Sequence, residues 1–145
     1  MPAAKPAKKK TSSAPVKAAK PDFVPVFAAL RQLLEGFLGY LTVQTDKPGN
    51  YHLQTPSILH RGKPLYFAGV RTNKNYVSFH LLHLYYNPAA VKALSPALRK
   101  RMQGMACFNF TAVDEDCFAE LSRLIADGLK RYKSKEFQQT IKDMQ

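Results

Sequence analysis

The chain has 145 residues and carries 22 Lys and Arg against 10 Asp and Glu, a formal net charge of +12. This length fits one domain with a short appendage, and so large a charge attracts polyanions at long range whatever the fold. The two cysteines, Cys107 and Cys117, match no redox or zinc spacing, which excludes a disulfide scaffold. Neither a secretion signal nor a run of the ~18 apolar residues that span a bilayer is present, so we expect a cytoplasmic protein.

The first 20 residues are predicted to be a disordered basic tail. They contain six Lys, six Ala and three Pro, with no acidic and no aromatic residue. Such a segment buries too little apolar surface to offset the entropy lost on ordering it. A polyanion could be contacted by its lysines, which are Lys5, Lys8, Lys9, Lys10, Lys17 and Lys20.

Two long amphipathic helices are predicted at the ends of a domain that covers residues 21–133. Apolar residues recur at helical spacing from about Asp22 to Tyr40, with Asp22 as the N-cap. The second helix spans about residues 114–133, with acidic residues at its start and basic residues at its end, as the helix dipole favours. Residues 134–145 are interpreted as a polar C-terminal extension.

Between these helices the hydrophobic period changes to that of strands. Turn signals separate short strand-like segments at residues 51–54, 57–60, 65–70, 76–82 and 107–110. Pro88 and Pro96 each follow a capping residue and predict two short helices, the second ended by Gly104. The predicted fold class is therefore α+β, with an antiparallel sheet of about four or five strands packed against the N- and C-terminal helices.

The distribution of charge limits the chemistry of the sheet. Residues 47–113 contain no Asp or Glu and nine Lys or Arg. They cannot supply the paired carboxylates of a glycosidase or the carboxylates of a hard-metal site. A surface on the sheet would more easily hold an anion, although exposed Lys and Arg often only solvate a surface. The candidate polyanion contacts in this region are Lys63, Arg71, Arg99, Lys100 and Arg101.

No catalytic, cofactor-binding or metal-binding residue is predicted. His80 and His83 are three apart on a predicted strand and would point to opposite faces. Serine occurs in no Gly-x-Ser-x-Gly elbow, no glycine-rich phosphate loop is present, and Cys107 has no base or acid beside it in sequence. The many aromatic residues of the strands are more typical of a core than of a base-stacking surface.

Several segments in succession resemble the YdhG-like family, a domain of unknown function found in small bacterial proteins. They are GKPLYFAGV at 62–70, YVSFHL at 76–81, YYNP at 85–88, LSPAL at 94–98, RMQG at 101–104 and CFNF at 107–110. The resemblance covers about residues 22–133 and implies a compact α+β domain. One branch of the family is linked to frataxin-like iron handling, which needs an acidic surface that this sheet lacks, so iron binding is not transferred. The family offers no established catalytic residues.

The sequence therefore favours a non-enzymatic binding or accessory domain, without a cofactor, whose basic arm contacts polyanions. The alternative is a protein whose main role is non-specific association with nucleic acid, through arm and domain together. A small enzyme or a frataxin-like metal-handling protein is disfavoured, because no motif for either is present.

Overall fold

The computed structural model describes residues 22–144, so the predicted disordered tail lies outside the described residues. The long elements are joined by a 3-10 helix, Leu82–Tyr86, and by two short helices. In chain order, the helices are α1 (Val24–Glu35), α2 (Pro88–Lys92), α3 (Pro96–Arg101), α4 (Glu115–Tyr132) and α5 (Lys135–Asp143). The strands are β1 (Thr42–Lys47), β2 (Asn50–His60), β3 (Lys63–Thr72), β4 (Val77–Leu81), β5 (Met102–Gln103) and β6 (Cys107–Phe110).

The strands form one antiparallel sheet in the order β1-β2-β3-β4-β6-β5. The predicted α+β class is confirmed, with six strands where four or five were expected. The additional strands are at the two edges of the sheet. β1 pairs with β2, and the two-residue β5 pairs with β6.

The region between α1 and β2 differs from its prediction. The first helix was expected to continue to Tyr40, but α1 ends at Glu35 and the chain then enters the sheet as its first strand, β1. Gly39 has a φ of 143°, which no residue of a right-handed helix adopts. Apolar periodicity continues past this point, and it misled the prediction because Leu41 is buried as part of the core.

β2 is one strand of 11 residues, where two short strands were expected. Pro56 lies within it, and the pairing with β3 shifts register between Thr55 and Leu59. A proline cannot donate to the ladder, so the chain passes it by an irregularity and then resumes the same strand.

The two short helices begin where they were predicted. The side chain of Asn87 accepts from the Ala90 N–H and caps α2, and Ser95 accepts from the Leu98 N–H and caps α3. Gly104 does not end α3, which stops at Arg101. It lies instead in the turn between β5 and β6, with a φ of 71°.

The long helices pack on one face of the sheet. α1 buries Val26, Leu30 and Leu34, and α4 is capped by Asp114 and packs through aromatic pairs. In these pairs the ring of Phe67 meets Tyr132 edge to face with centroids 5.0 Å apart, and Phe110 meets Phe118 at 4.9 Å. The core therefore lies between the sheet and this helical layer.

The C-terminal segment contains a helix of its own, α5, which begins after the capping side chain of Ser134. It buries Phe137 and Ile141, and the Phe137 ring stacks on Tyr132 with centroids 4.4 Å apart. None of the helices within residues 22–144 has the length and apolarity that crossing a membrane requires.

Candidate ligand-binding cleft on the open face of the sheet

Strand pairing aligns the polar positions of four strands into two adjacent rows. Side chains alternate between the faces of a strand, so positions two apart point to the same side. Each row runs through β2, β3, β4 and β6, and the two rows are His52–Gly69–His80–Cys107 and Asn50–Arg71–Ser78–Asn109.

The row between them is apolar and buried, and it consists of Tyr51, Val70, Phe79 and Phe108. This apolar row faces the helices. The two polar rows therefore lie on the opposite side, which we call the open face of the sheet.

Gly69 forms the floor of a depression on the open face. Because it has no side chain, the ring of its row neighbour His52 and the hydroxyl of Tyr66 pack directly over it. A cleft of about 400 Å³ lies beside this contact. We call it the sheet cleft, and it is lined by His52, Gly69, Arg71, Asn73, Tyr76, Ser78, His80, Gln103, Cys107 and Asn109.

One wall of the sheet cleft is fixed by hydrogen bonds around His52. Its Nε2 lies 2.5 Å from Asn50 Oδ1, and its Nδ1 lies 2.7 Å from the hydroxyl of Tyr66. With the amide oxygen accepting from Nε2–H, Nδ1 is the acceptor and the Tyr66 hydroxyl donates to it. The ring is held at both nitrogens, so this wall is preorganised.

The opposite wall is a directional chain of hydrogen bonds between neutral side chains. Asn73 Nδ2 donates to Ser78 Oγ over 2.9 Å, and Ser78 Oγ donates to Asn109 Oδ1 over 2.8 Å. Asn109 Nδ2 then donates to Gln103 Oε1 over 2.6 Å. These contacts cross from the β3–β4 turn to the sheet edge and fix the orientation of each group.

His80 and Cys107 meet in the middle of the cleft. The Cys107 sulfur lies 3.5 Å from His80 Nδ1. The other ring nitrogen, Nε2, is buried and has no hydrogen-bond partner among the described residues. A buried polar atom without a partner is costly, and Nε2 is closed off from solvent in this arrangement.

The electrostatics of the cleft depend on one residue. Burial, with smaller contributions from His80 and Arg71, lowers the pKa of His52, and burial lowers the pKa of His80. Both rings are therefore neutral near pH 7, and Arg71 is the charged residue among those that line the cleft.

Arg71 is exposed and takes part in no ion pair within residues 22–144. The ion pairs described there belong to Arg31, with Glu35 and Asp46, and to Arg101, with Asp114. The guanidinium of Arg71 can therefore meet an anion without first losing a carboxylate partner.

This arrangement suits binding better than catalysis. Burial raises the pKa of Cys107, which disfavours the thiolate, and no carboxylate lines the cleft to orient His80. Within residues 22–144, no group of three or more His, Cys, Asp or Glu side chains could hold a metal ion. The cleft offers instead a cation and oriented neutral donors.

The structure separates the residues that were predicted as polyanion contacts. Arg71 lines the sheet cleft, whereas Lys63 lines a different groove at the β2–β3 hairpin. Arg99 donates to the carbonyls of Val91 and Lys92 at the end of α2. The remaining two helix residues, Lys100 and Arg101, line neither cavity. Lys100 is exposed, and Arg101 lies 4.0 Å from Asp114. The six lysines of the tail lie outside the described residues.

The structure places three histidines in positions that were not predicted from the sequence. His80 and His83 do not share a strand, because His83 belongs to the 3-10 helix and is buried beside α4, where Nε2 donates to the Leu124 carbonyl over 3.0 Å. His52 and His80 are 28 residues apart in sequence but flank the same glycine.

The sheet cleft was not predicted from the sequence, although the alternation of polar and apolar residues indicated an open sheet face. Polar residues alternate with buried ones in β2, β4 and β6, which marks an open sheet face. The sequence does not show the register in which β4 pairs with β6, and this register places Cys107 beside His80.

Comparisons with protein-family models, with curated proteins and with solved structures gave no match. Membership of the YdhG-like family therefore stays a prediction from the residues quoted above.

Proposed function

We propose that this protein is a non-enzymatic binding domain that holds a small anionic ligand in the sheet cleft. The observation that carries the proposal is the lining of the cleft, where Arg71 is the charged residue and no carboxylate is present. A low-charge, prearranged polar cavity with one unpaired guanidinium favours an anion over a cation.

The ligand class follows from the donors. A guanidinium presents a planar fork that matches a carboxylate or a phosphate oxygen pair. The fixed amides of the opposite wall would contact polar groups elsewhere on the ligand. At about 400 Å³ the cleft has room for a molecule of metabolite size.

A second candidate function, association with nucleic acid through the tail, is supported by the net charge of +12 and by the six tail lysines. It involves different residues from the sheet cleft, so the two roles can be tested independently. For the domain itself we retain the YdhG-like assignment as a proposal.

A thermal-shift screen of small carboxylates and phosphate esters tests the first proposal. Ligands of the cleft should raise the Tm of the full chain and fail to do so for Arg71→Gln. The matched control is Lys74→Gln, which removes one charge from an exposed neighbouring position that does not line the cleft. If both variants lose the shift equally, the effect is general electrostatics and the proposal is wrong.

A further inference from the structure

A second cavity lies at the β2–β3 hairpin, on the other side of Tyr66 from His52. It is an open groove of about 690 Å³, which we call the hairpin groove. The residues that matter for its chemistry are His60, Arg61, Lys63, Tyr66, Leu82 and Tyr86.

The mouth of the hairpin groove is cationic. Arg61 and Lys63 are exposed, and neither takes part in an ion pair within residues 22–144. No carboxylate lines the groove. Two adjacent free cations, with the imidazole of His60 beside them, form a site that attracts a phosphate.

Arg61 occupies a backbone position that its residue type disfavours. It has a φ of 55° and is followed by Gly62 at 78°, the left-handed pair of a two-residue hairpin turn. Such turns prefer Asn-Gly, and a left-handed conformation costs other residues roughly 1–2 kcal/mol. Strained residues concentrate at functional sites, and here the strained residue places its guanidinium at the mouth of the hairpin groove.

The inner wall of the groove is aromatic and held in place from behind. The Tyr86 ring packs edge to face on Phe137 with centroids 5.4 Å apart. The backbone carbonyl of Tyr86 accepts a hydrogen bond from the Arg131 guanidinium over 2.7 Å. The Tyr66 carbonyl likewise accepts from the Tyr132 hydroxyl over 2.7 Å. A fixed aromatic wall beside cations is the combination on which a nucleic-acid base stacks while its phosphate is neutralised.

We propose that the hairpin groove binds a nucleotide, with its phosphate at Arg61 and Lys63 and its base against Tyr86 and Leu82. The same chemistry is offered by a free nucleotide and by one unit of single-stranded nucleic acid. The two cavities adjoin at Tyr66, which lines the hairpin groove and whose hydroxyl is hydrogen-bonded to His52 on the cleft side. Their cations differ, with Arg71 in the sheet cleft and Arg61 and Lys63 in the hairpin groove, so substitutions distinguish the two sites.

The test is a titration of the full chain, followed by NMR, with three probes: inorganic phosphate, AMP and a single-stranded deoxythymidine decamer. Arg61→Asn is the informative variant, because asparagine suits the turn and removes the guanidinium without loss of fold. Arg123→Gln is the matched control, since it removes one exposed positive charge on α4. We expect AMP to bind more tightly than phosphate, and Arg61→Asn to weaken AMP binding about tenfold while Arg123→Gln leaves it nearly unchanged.

The decamer distinguishes the two sources of the ligand. If the decamer binds much more tightly than AMP and Arg61→Asn weakens its binding, the natural ligand is single-stranded nucleic acid. If the decamer binds no more tightly than AMP, the natural ligand is a free nucleotide. Equal affinity for AMP and inorganic phosphate would show that the aromatic wall contributes nothing and would overturn the proposal. Equal losses in Arg61→Asn and Arg123→Gln would overturn it as well, because binding would then follow net charge.

Discussion

At the scale of single residues, the shape of the sheet cleft depends on Gly69. A Cβ at this position would collide with His52 Nδ1 and with the Tyr66 hydroxyl. Those two atoms are hydrogen-bonded to each other, so neither moves without breaking the wall that they form. The glycine is required here for close approach of side chains and not for its backbone conformation.

We expect Gly69→Ala to destabilise the fold by about 1–3 kcal/mol, because the added methyl overpacks a closed contact. Urea unfolding measures this loss. Gly36→Ala is the control, since its Cβ would meet nothing closer than 3.7 Å and its backbone is helical, so it should be neutral or stabilising by up to about 1 kcal/mol. Equal effects of the two substitutions would mean that there is space for a methyl group at Gly69, which the structure does not show.

His83 is a buried titratable residue with a structural role. It is fully buried, its Nε2 donates to the Leu124 carbonyl, and Nδ1 has no partner among the described residues. Its pKa is lowered from 6.5 to about 4, mainly by burial. The Leu124 hydrogen bond opposes this shift, and Arg131 and Asp127 make smaller contributions that lower and raise the pKa, respectively. The ring therefore stays neutral in the fold at pH values where it is protonated in the unfolded chain.

This shift predicts that stability falls as the pH decreases from about 6.5 towards 4, where the unfolded chain binds a proton that the folded chain does not. His83 alone contributes a slope of about 1.4 kcal/mol per pH unit in this window, and the lowered pKa values of His52 and His80 add to it. His83→Gln keeps an N–H for the carbonyl and does not titrate. Unfolding free energies at pH 5 and 7.5 should differ less in this variant, and an unchanged difference would contradict the burial of a neutral imidazole.

At the scale of elements, the fold rests on the apolar sides of α1 and α4, which lie in the core. Leu34 and Leu121 are both fully buried, as the helical periodicity predicted. Leu→Ala at either position should cost about 2–5 kcal/mol, because each leaves a cavity in the core. Val24→Ala is the control, since its side chain is 72% exposed. Chemical denaturation of the three variants measures this, and losses near zero at both leucines would mean that the core lies elsewhere.

The long elements could be predicted from the sequence because one strong pattern determined each of them. The acidic start and basic end of α4, with its apolar stripe, predicted its bounds to within one residue. Capping residues before Pro88 and Pro96 predicted where the two short helices begin. Edge strands were missed because they bury little. Five of the six residues of β1 are exposed, so it carries no alternation of buried and exposed positions.

The two cavities were less predictable, for a physical reason. The sheet cleft consists of residues from several strands, and long-range register decides which of their side chains meet. The hairpin groove forms where one hairpin meets the 3-10 helix, a contact that local patterns do not predict. Alternation alone places His52, His80 and Cys107 on some open face, but a slip of one residue in β6 would turn Cys107 towards the core. Arg61-Gly62 was recognised as part of a turn, whereas the left-handed φ of the arginine required the structure.

At the scale of the whole molecule, the excess charge is divided between tail and domain. Removing the six tail lysines from the net charge of +12 leaves +6 on residues 21–145. The acid-free region from 47 to 113 contains both cavities. The molecule therefore has two kinds of cationic feature, which are the lysine-rich segment of residues 1–20 and the prearranged sites on the domain.

The tail predicts a strongly salt-dependent, sequence-independent affinity for duplex DNA. Each lysine that neutralises a phosphate releases counterions, with a slope of log K against log salt of about −0.9 per contact. Four to six contacts give roughly −4 to −5, and deletion of residues 1–20 should remove most of this slope. Anisotropy titrations at several salt concentrations measure it. An unchanged slope after deletion would assign duplex binding to the domain, for example to Arg99, Lys100 and Arg101, and neutralising those three would then abolish it.

The central claim is that the sheet cleft is an anion-binding site built around Arg71. The most direct measurement is NMR mapping of the full chain titrated with the best ligand from the carboxylate and phosphate screen. We expect the largest chemical-shift changes on the backbone amides of Gly69, Arg71 and Ser78 and on the His80 ring. Arg71→Gln should abolish these changes while the fold is kept. Changes confined to the tail or to the hairpin groove, with the sheet cleft signals unmoved, would contradict it.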